Sequence, residues 1–138
     1  MLVVLDTNVL VSALLSPFGP PARVLDLALS GEIRLAYDDR MMAEYREVLA
    51  RPKFGFAPGD VADLLAFLEA DGEPVTARAL PCKLPDADDL PFLEVAAHAE
   101  ATMVTGNTAH YPISARGAVS VLTPAEFLDW QLGQPRRS

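Results

Sequence analysis

The sequence predicts an α/β domain built around a mainly parallel sheet. Three observations carry that prediction: short apolar runs rich in Val, Leu and Ala, helix-starting residues placed directly after several of them, and short connections throughout. Leu2–Leu5 is the clearest run. It is apolar without alternation, the pattern of a strand buried on both faces. Asp6, Thr7 and Asn8 end it, and their side chains can accept bonds from the free N–H groups that open a helix. The apolar pattern resuming over Val9–Leu15 then reads as that helix, with Ser16–Pro20 as the following loop.

Pro20 and Pro21 fit the first turn of a second helix reaching about Leu29, closed by Ser30 and Gly31. Ile33–Ala36 is the next strand candidate. Asp38 or Asp39 can cap a helix from Arg40 to Ala50, stopped by Pro52. Pro58, Gly59 and Asp60 open a helix through Ala70 that ends near Gly72, and Pro74–Ala77 is read as an edge strand. A turn over Leu84–Asp89 leads into a helix from Leu90 to Glu100. Ala101–Thr105 is a third buried strand before the polar turn Gly106-Asn107-Thr108, and Val119–Leu122 is the last strand. Thr123 and Glu126 have capping-box spacing, with Pro124 at the first helical position.

The chain has 138 residues, a length suited to one domain, and no repeat or linker divides it. A single domain over 1–130 is expected, with 131–138, including Pro135-Arg136-Arg137-Ser138, as a flexible tail. Half the residues are hydrophobic (51%), which excludes a wholly disordered chain. Eleven basic against nineteen acidic residues leave a net charge of −8, so bulk charge offers a polyanion no attraction. A nucleic-acid substrate then needs a local basic patch or a cation between acidic groups and phosphate. Cys82 is the single cysteine, so no intramolecular disulfide and no cysteine-rich zinc site can form. That count fits a reduced, cytoplasmic setting. The apolar runs Met1–Leu5 and Val9–Leu15 are too short to span a bilayer, and the N-terminus lacks a signal peptide's positive flank. A soluble protein without a membrane partner is expected.

In open parallel sheets, ligands gather beyond the carboxyl ends of the strands. Asp6-Thr7-Asn8 and Thr105-Gly106-Asn107 fall at two such ends. A third polar cluster, Asp86-Ala87-Asp88-Asp89, precedes the helix feeding the third strand. An antiparallel crossover helix is expected to start at the edge where the strands begin, which sets this cluster away from Asp6 unless the loop reaches across. In the helix around Glu44, turning about 100° per residue, Met41, Met42, Tyr45, Val48 and Leu49 cover an arc of roughly 120° and Glu44 lies about 40° beyond it. Glu47 points farther toward water. Carboxylates gathered in one cleft repel: two unit charges about 5 Å apart cost roughly 3 kcal/mol at an effective dielectric near 20. Such a cluster implies raised pKa values or a bound cation, and oxygen-only donors favour Mg²⁺ or Mn²⁺. His98 and His110 lack paired ligand spacing, and Cys82 reads as a small loop or core residue.

Together these segments resemble a PIN domain, in particular the VapC-like toxin components of bacterial toxin–antitoxin systems. VVLDTNVLVSALL is similar to the family's opening strand and first acidic residue, and MMAEYREVLARPKF to its central helix with the second. LPDADDLPFLEVAAHAEATMVTGNTAHYP resembles the third acidic cluster with its helix, strand and final polar turn. The likeness runs from Leu2 to about Phe127.

The resemblance implies a three-layer α/β/α sandwich whose acidic loops converge in one groove, and an Mg²⁺- or Mn²⁺-dependent endoribonuclease. By position it makes Asp6, Glu44 and Asp89 the catalytic metal ligands. Asp86 is an additional candidate ligand, and Asp88, which can also cap the helix, is an accessory group. Asn107 stands where many relatives have an Asp and brings no charge, which counts against tight binding of a second metal. Thr7, Asn8 and Thr105 become hydrogen-bond partners of the ligands. Arg23, Arg40, Arg46, Arg51 and Lys53 are candidate phosphate contacts. The implied partners are an RNA substrate, a cognate antitoxin and a second copy in a homodimer. Two alternatives differ in class: a non-catalytic PIN-like binding module, and a phosphatase of the haloacid-dehalogenase type, whose second motif Asp is here Asn8.

Overall fold

The computed structural model describes residues 1–133. Five strands, β1 (Leu2–Leu5), β2 (Arg34–Tyr37), β3 (Glu73–Pro74), β4 (Thr102–Val104) and β5 (Val121–Leu122), form one sheet in the order β3-β2-β1-β4-β5. Every pairing is parallel. The helices among the described residues are α1 (Thr7–Leu15), α2 (Pro20–Leu29), α3 (Asp39–Leu49), α4 (Pro58–Asp71), α5 (Leu90–Ala99), α6 (Ile113–Arg116) and α7 (Pro124–Leu132). The result is the expected α/β/α sandwich. None of these helices is long and apolar enough to cross a membrane.

Val3, Val4 and Leu5 of the central strand are wholly buried, which requires cover on both faces of the sheet. On one side α5 packs on β1, β2 and β4; elsewhere α2 packs on α1 and α7, and α3 on α4. Caps follow the sequence closely. Asp38 accepts from the Met41 backbone N–H at 2.9 Å, and Thr123 and Glu126 close a reciprocal capping box.

Several boundaries differ from the expectation. The edge strand is only Glu73–Pro74. Val75 N–H still bonds the Tyr37 carbonyl at 2.8 Å, but β2 ends there and α3 takes the neighbouring chain away, leaving no further partner. The last strand shrinks to Val121–Leu122, because Val119 N–H is already turned back onto the Arg116 carbonyl. The short α6 has no counterpart in the sequence reading. The expected tail starts inside α7, which runs to Leu132, and its residues 134–138 lie outside the described residues.

The expected position of the Asp86–Asp89 cluster is also corrected. A helix that delivers the chain to the start of β4 while lying antiparallel to the strands must begin at their carboxyl edge. The openings of α1, α3 and α5 therefore share one edge of the sheet with the β4 turn. The segment before α5 need not reach across.

Gly72, between α4 and the sheet, has no room for a side chain: a Cβ there would lie 2.6 Å from the Leu68 carbonyl and 2.7 Å from that of Leu35. Both are backbone atoms and yield only if α4 and β2 separate. Gly72→Ala is expected to destabilise the fold by about 1–3 kcal/mol, read as a lower urea midpoint with an unchanged slope.

Candidate functional site

Asp6 stands where β1 passes into α1, its backbone extended and its side chain 3% exposed. One oxygen, Oδ1, accepts the Thr7 N–H at 2.8 Å, the helix-capping bond expected of an Asp at this position. The other, Oδ2, accepts from Thr105 Oγ1 at 2.8 Å, Tyr111 Oη at 3.0 Å and Asn8 Nδ2 at 3.4 Å. Capping and site-building are thus done by the same carboxylate through different oxygens.

Asn8 ties the two polar turns together. Its Oδ1 accepts the Gly106 N–H at 2.9 Å, and a Cβ on Gly106 would sit 3.2 Å from that same oxygen. Thr105, fully buried, receives the Asn107 N–H on its hydroxyl at 3.1 Å while donating to Asp6. The Asn107 carboxamide is exposed and has no hydrogen-bond partner among the described residues.

Glu44 is half-buried at the margin of α3's apolar face, as its helical position predicts, and its Oε2 accepts the Thr7 hydroxyl. Asp89 is buried at the opening of α5, with Oδ2 3.0 Å from His110 Nδ1. Asp86, rather than Asp88, caps the turn before α5, accepting the Asp88 N–H at 2.9 Å. Both of these flanking carboxylates are exposed.

Burial dominates the electrostatics. It raises the pKa of Asp6, with the Thr105, Tyr111 and Thr7 bonds pulling the other way. Glu44 is raised by burial and by repulsion from Asp6, Asp88 and Asp86, against the bond from Thr7. Asp89 is pushed up to about 6 by burial and by Asp6 and Asp86, with His110 opposing. Asp6 repels both Glu44 and Asp89, and Thr7, its neighbour in the chain, bonds Glu44, so each of the other two acids lies near Asp6. Burial and the same acidic neighbours also push the Tyr111 phenol upward, so it stays a donor.

Three repelling carboxylates are the right chemistry for a hard dication. As the side chains stand, however, no group of three His, Cys, Asp or Glu among the described residues is gathered tightly enough to hold one. Thr7 engages Glu44 and His110 engages Asp89 instead. Glu44 Oε1 and Asp89 Oδ1 lie outside those contacts.

Two neighbours of the acids escaped the sequence reading. His110 lacks paired ligand spacing, and nothing in the neighbouring sequence marks Tyr111. Their common signal is position, since both follow the β4 turn that carries Thr105. Of the candidate phosphate contacts, Arg40 pairs with Asp38 and Glu94, Arg46 with Glu69 and Arg51 with Glu47. Lys53 lies over the Phe54 ring. An apolar groove of about 350 Å³ between α3 and α4 is lined by residues such as Leu49, Phe56 and Leu65 and by none of the acids.

A family model described as PIN domain matches residues 2–109, a stretch containing Asp6, Glu44, Asp89 and Asn107 but not His110 or Tyr111. No curated protein matches the sequence. Among solved structures, the chain is similar to VapBC2 from Rickettsia felis bound to a DNA fragment from their promoter. That match has 17% identity and a TM-score of 0.60, covering 89% of this chain and 98% of that one. It is similar to FitAB bound to an IR36 DNA fragment at 20% identity and TM-score 0.64, covering 90% and 95%. A third similarity is to FitAcB from Neisseria gonorrhoeae, at 20% identity and TM-score 0.58, covering 91% and 99%.

The raised pKa of Asp89 carries a stability consequence of definite sign. Its carboxyl binds its proton more tightly folded, near 6, than at the ordinary 3.8, so its contribution falls as pH rises through that window. Asp89→Asn removes the penalty of the buried charge. In thermal unfolding without divalent metal, the variant is expected to melt higher at pH 7.5 by on the order of 2–4 °C. The gain should shrink on acidification and vanish below the ordinary carboxyl value.

Proposed function

Because this chain belongs to the PIN-domain family, whose members are generally nucleases, we propose that it is a metal-dependent endoribonuclease and the toxin of a toxin–antitoxin pair. The observation that carries the proposal is the placement of Asp6, Glu44 and Asp89, from three separate segments, on one edge of the sheet, with burial raising the pKa of all three and Asp6 repelling the other two. Among the described residues no lysine or arginine bonds any of the three acids, and His110 at Asp89 is the single ion-pair partner they have.

Asp6, Glu44 and Asp89 would hold an Mg²⁺ or Mn²⁺ ion, with Asp86 as a further ligand and Asp88 and Asn107 at the margin. A dication bound there supplies a more acidic water for in-line attack and positive charge against the phosphate. The chain's own part is to bind and orient. Thr105 and Tyr111 fix the Oδ2 side of Asp6, Asn8 braces the turn behind it, and Thr7 holds Glu44. Asn107 adds an uncharged oxygen, which supports one tightly held ion rather than two. The antitoxin partner is supported by the family resemblance and by the two-component names of the similar assemblies, VapBC2 and FitAB, each on DNA. A cytoplasmic homodimer is the form this reading expects.

Cleavage of a single-stranded RNA should require Mg²⁺ or Mn²⁺. Loss of a supporting group around a metal typically costs about 10–100-fold, so loss of a ligand in Asp6→Asn should cost about 100-fold or more. Cleavage in chelator, or full activity in Asp6→Asn, rejects the mechanism. Calorimetric titration separates it from an inert binding module, which would show no Mn²⁺ site dependent on Asp6.

Acidification should weaken the ion's binding as well, because Asp89 must give up its proton to serve as a ligand. Below pH about 6, Mn²⁺ affinity is expected to fall roughly tenfold per pH unit, measured by titration across pH 5–8.

A further inference from the structure

Residues 75–86 join β3 to the turn before α5 with no helix or strand of their own, an unusual length for a connection inside a compact domain. The parallel sheet sets their course. The chain leaves edge strand β3 at the carboxyl edge and must reach the opening of α5 on that same edge, beyond β2. The segment therefore starts and ends on the rim of the sheet that carries Asp6, Glu44 and Asp89.

It is pinned midway by a buried charge. Glu94, 4% exposed, accepts the Leu80 N–H at 2.7 Å on Oε2 and Arg40 Nη1 at 2.8 Å on Oε1. A carboxylate this deep is tolerated only with such partners. Arg40 lies one turn before Glu44 on α3, and Glu94 lies on α5 behind Asp89. The rim segment is thus fastened to the two helices that carry two of the three acids.

The basic residues divide informatively. Arg136 and Arg137 lie outside the described residues. Arg40, Arg46 and Arg51 are ion-paired, so the α3 face carries little net positive charge. Arg34 and Arg116 bond backbone carbonyls, and Lys53 covers Phe54. Among the described residues that leaves Arg23, Arg78 and Lys83 with neither a hydrogen bond nor an ion pair nor a ring contact. Arg23 is on α2, which packs on α1 and α7. Arg78 and Lys83 are exposed on the rim segment itself. Lys83 is three residues before Asp86, so the two Cα atoms are within about 11 Å, comparable with the screening length at physiological salt.

Building on the endoribonuclease reading, we propose that Arg78 and Lys83, carried on the segment that Glu94 pins, are the phosphate-binding groups that seat RNA over the acidic cleft. They add positive charge on the rim of a chain whose net charge is −8, apart from Arg116, which is held by the Thr108 and Tyr111 carbonyls.

The test is fluorescence anisotropy with a labelled single-stranded RNA in Mg²⁺, using Asp6→Asn as a cleavage-silent parent. Adding Arg78→Ala or Lys83→Ala should each weaken Kd about 3–10-fold near 50 mM salt and reduce the salt slope by about 0.7. Arg46→Ala and Arg51→Ala, added to the same parent, should leave Kd unchanged. If the parent binds RNA and the rim variants match it, or if the α3 variants lose as much, the assignment to the rim is overturned while the nuclease reading stands. If neither the parent nor the wild-type chain binds RNA, both fall.

Discussion

A carboxylate buried at the end of a central strand is an expensive object, and much of this molecule's carboxyl edge is arranged around satisfying one. Asp6 is nearly inaccessible to water, yet its two oxygens accept four hydrogen bonds from Thr7, Asn8, Thr105 and Tyr111. Without them a group of this depth would cost several kcal/mol. With them, the β1–α1 junction, the β4 turn and the stretch beyond it are held in register with one another. Thr105 is placed by its own ladder bond to Leu122, so even the outer strand β5 contributes to where Asp6 points.

The same logic governs the other acids, each with a private donor. Thr7 serves Glu44 and His110 serves Asp89. These contacts do not offset burial, which raises all three above ordinary values, with repulsion from Asp6 adding to it at Glu44 and Asp89. Such frustration is characteristic of sites that exchange internal partners for a ligand. Glu94 offers the contrast within the same fold: fully paired with Arg40 and a backbone N–H, it acts as a fastening.

Much of the architecture was legible because it rests on local chemistry. Prolines at helix starts, Asp38 and Thr123 at caps and the strand-forming runs over Leu2–Leu5 and Ala101–Thr105 act within a few residues, so the sequence shows them directly. Strand ends were less legible. Val75–Ala77 has strand-forming residues, but β2 stops at Tyr37 and pairing stops with it. Glu44 at the edge of an apolar helical face was readable from periodicity. That Asp86 rather than Asp88 caps the turn before α5 was not, since both have the same capping chemistry.

By itself, then, the sequence determined the order of strands and helices, the acidic character of three turns and the absence of bulk positive charge, all properties of neighbouring residues or of composition. Tertiary structure decided which distant groups meet. Tyr111 reaches Asp6 across more than a hundred residues, His110 reaches Asp89, and α5 opens on the same edge as α1 and α3. These outcomes follow from a sheet whose strands all run one way, because parallel pairing brings the carboxyl end of every strand to one side, and pairing partners are set by packing across the whole chain rather than by any local run.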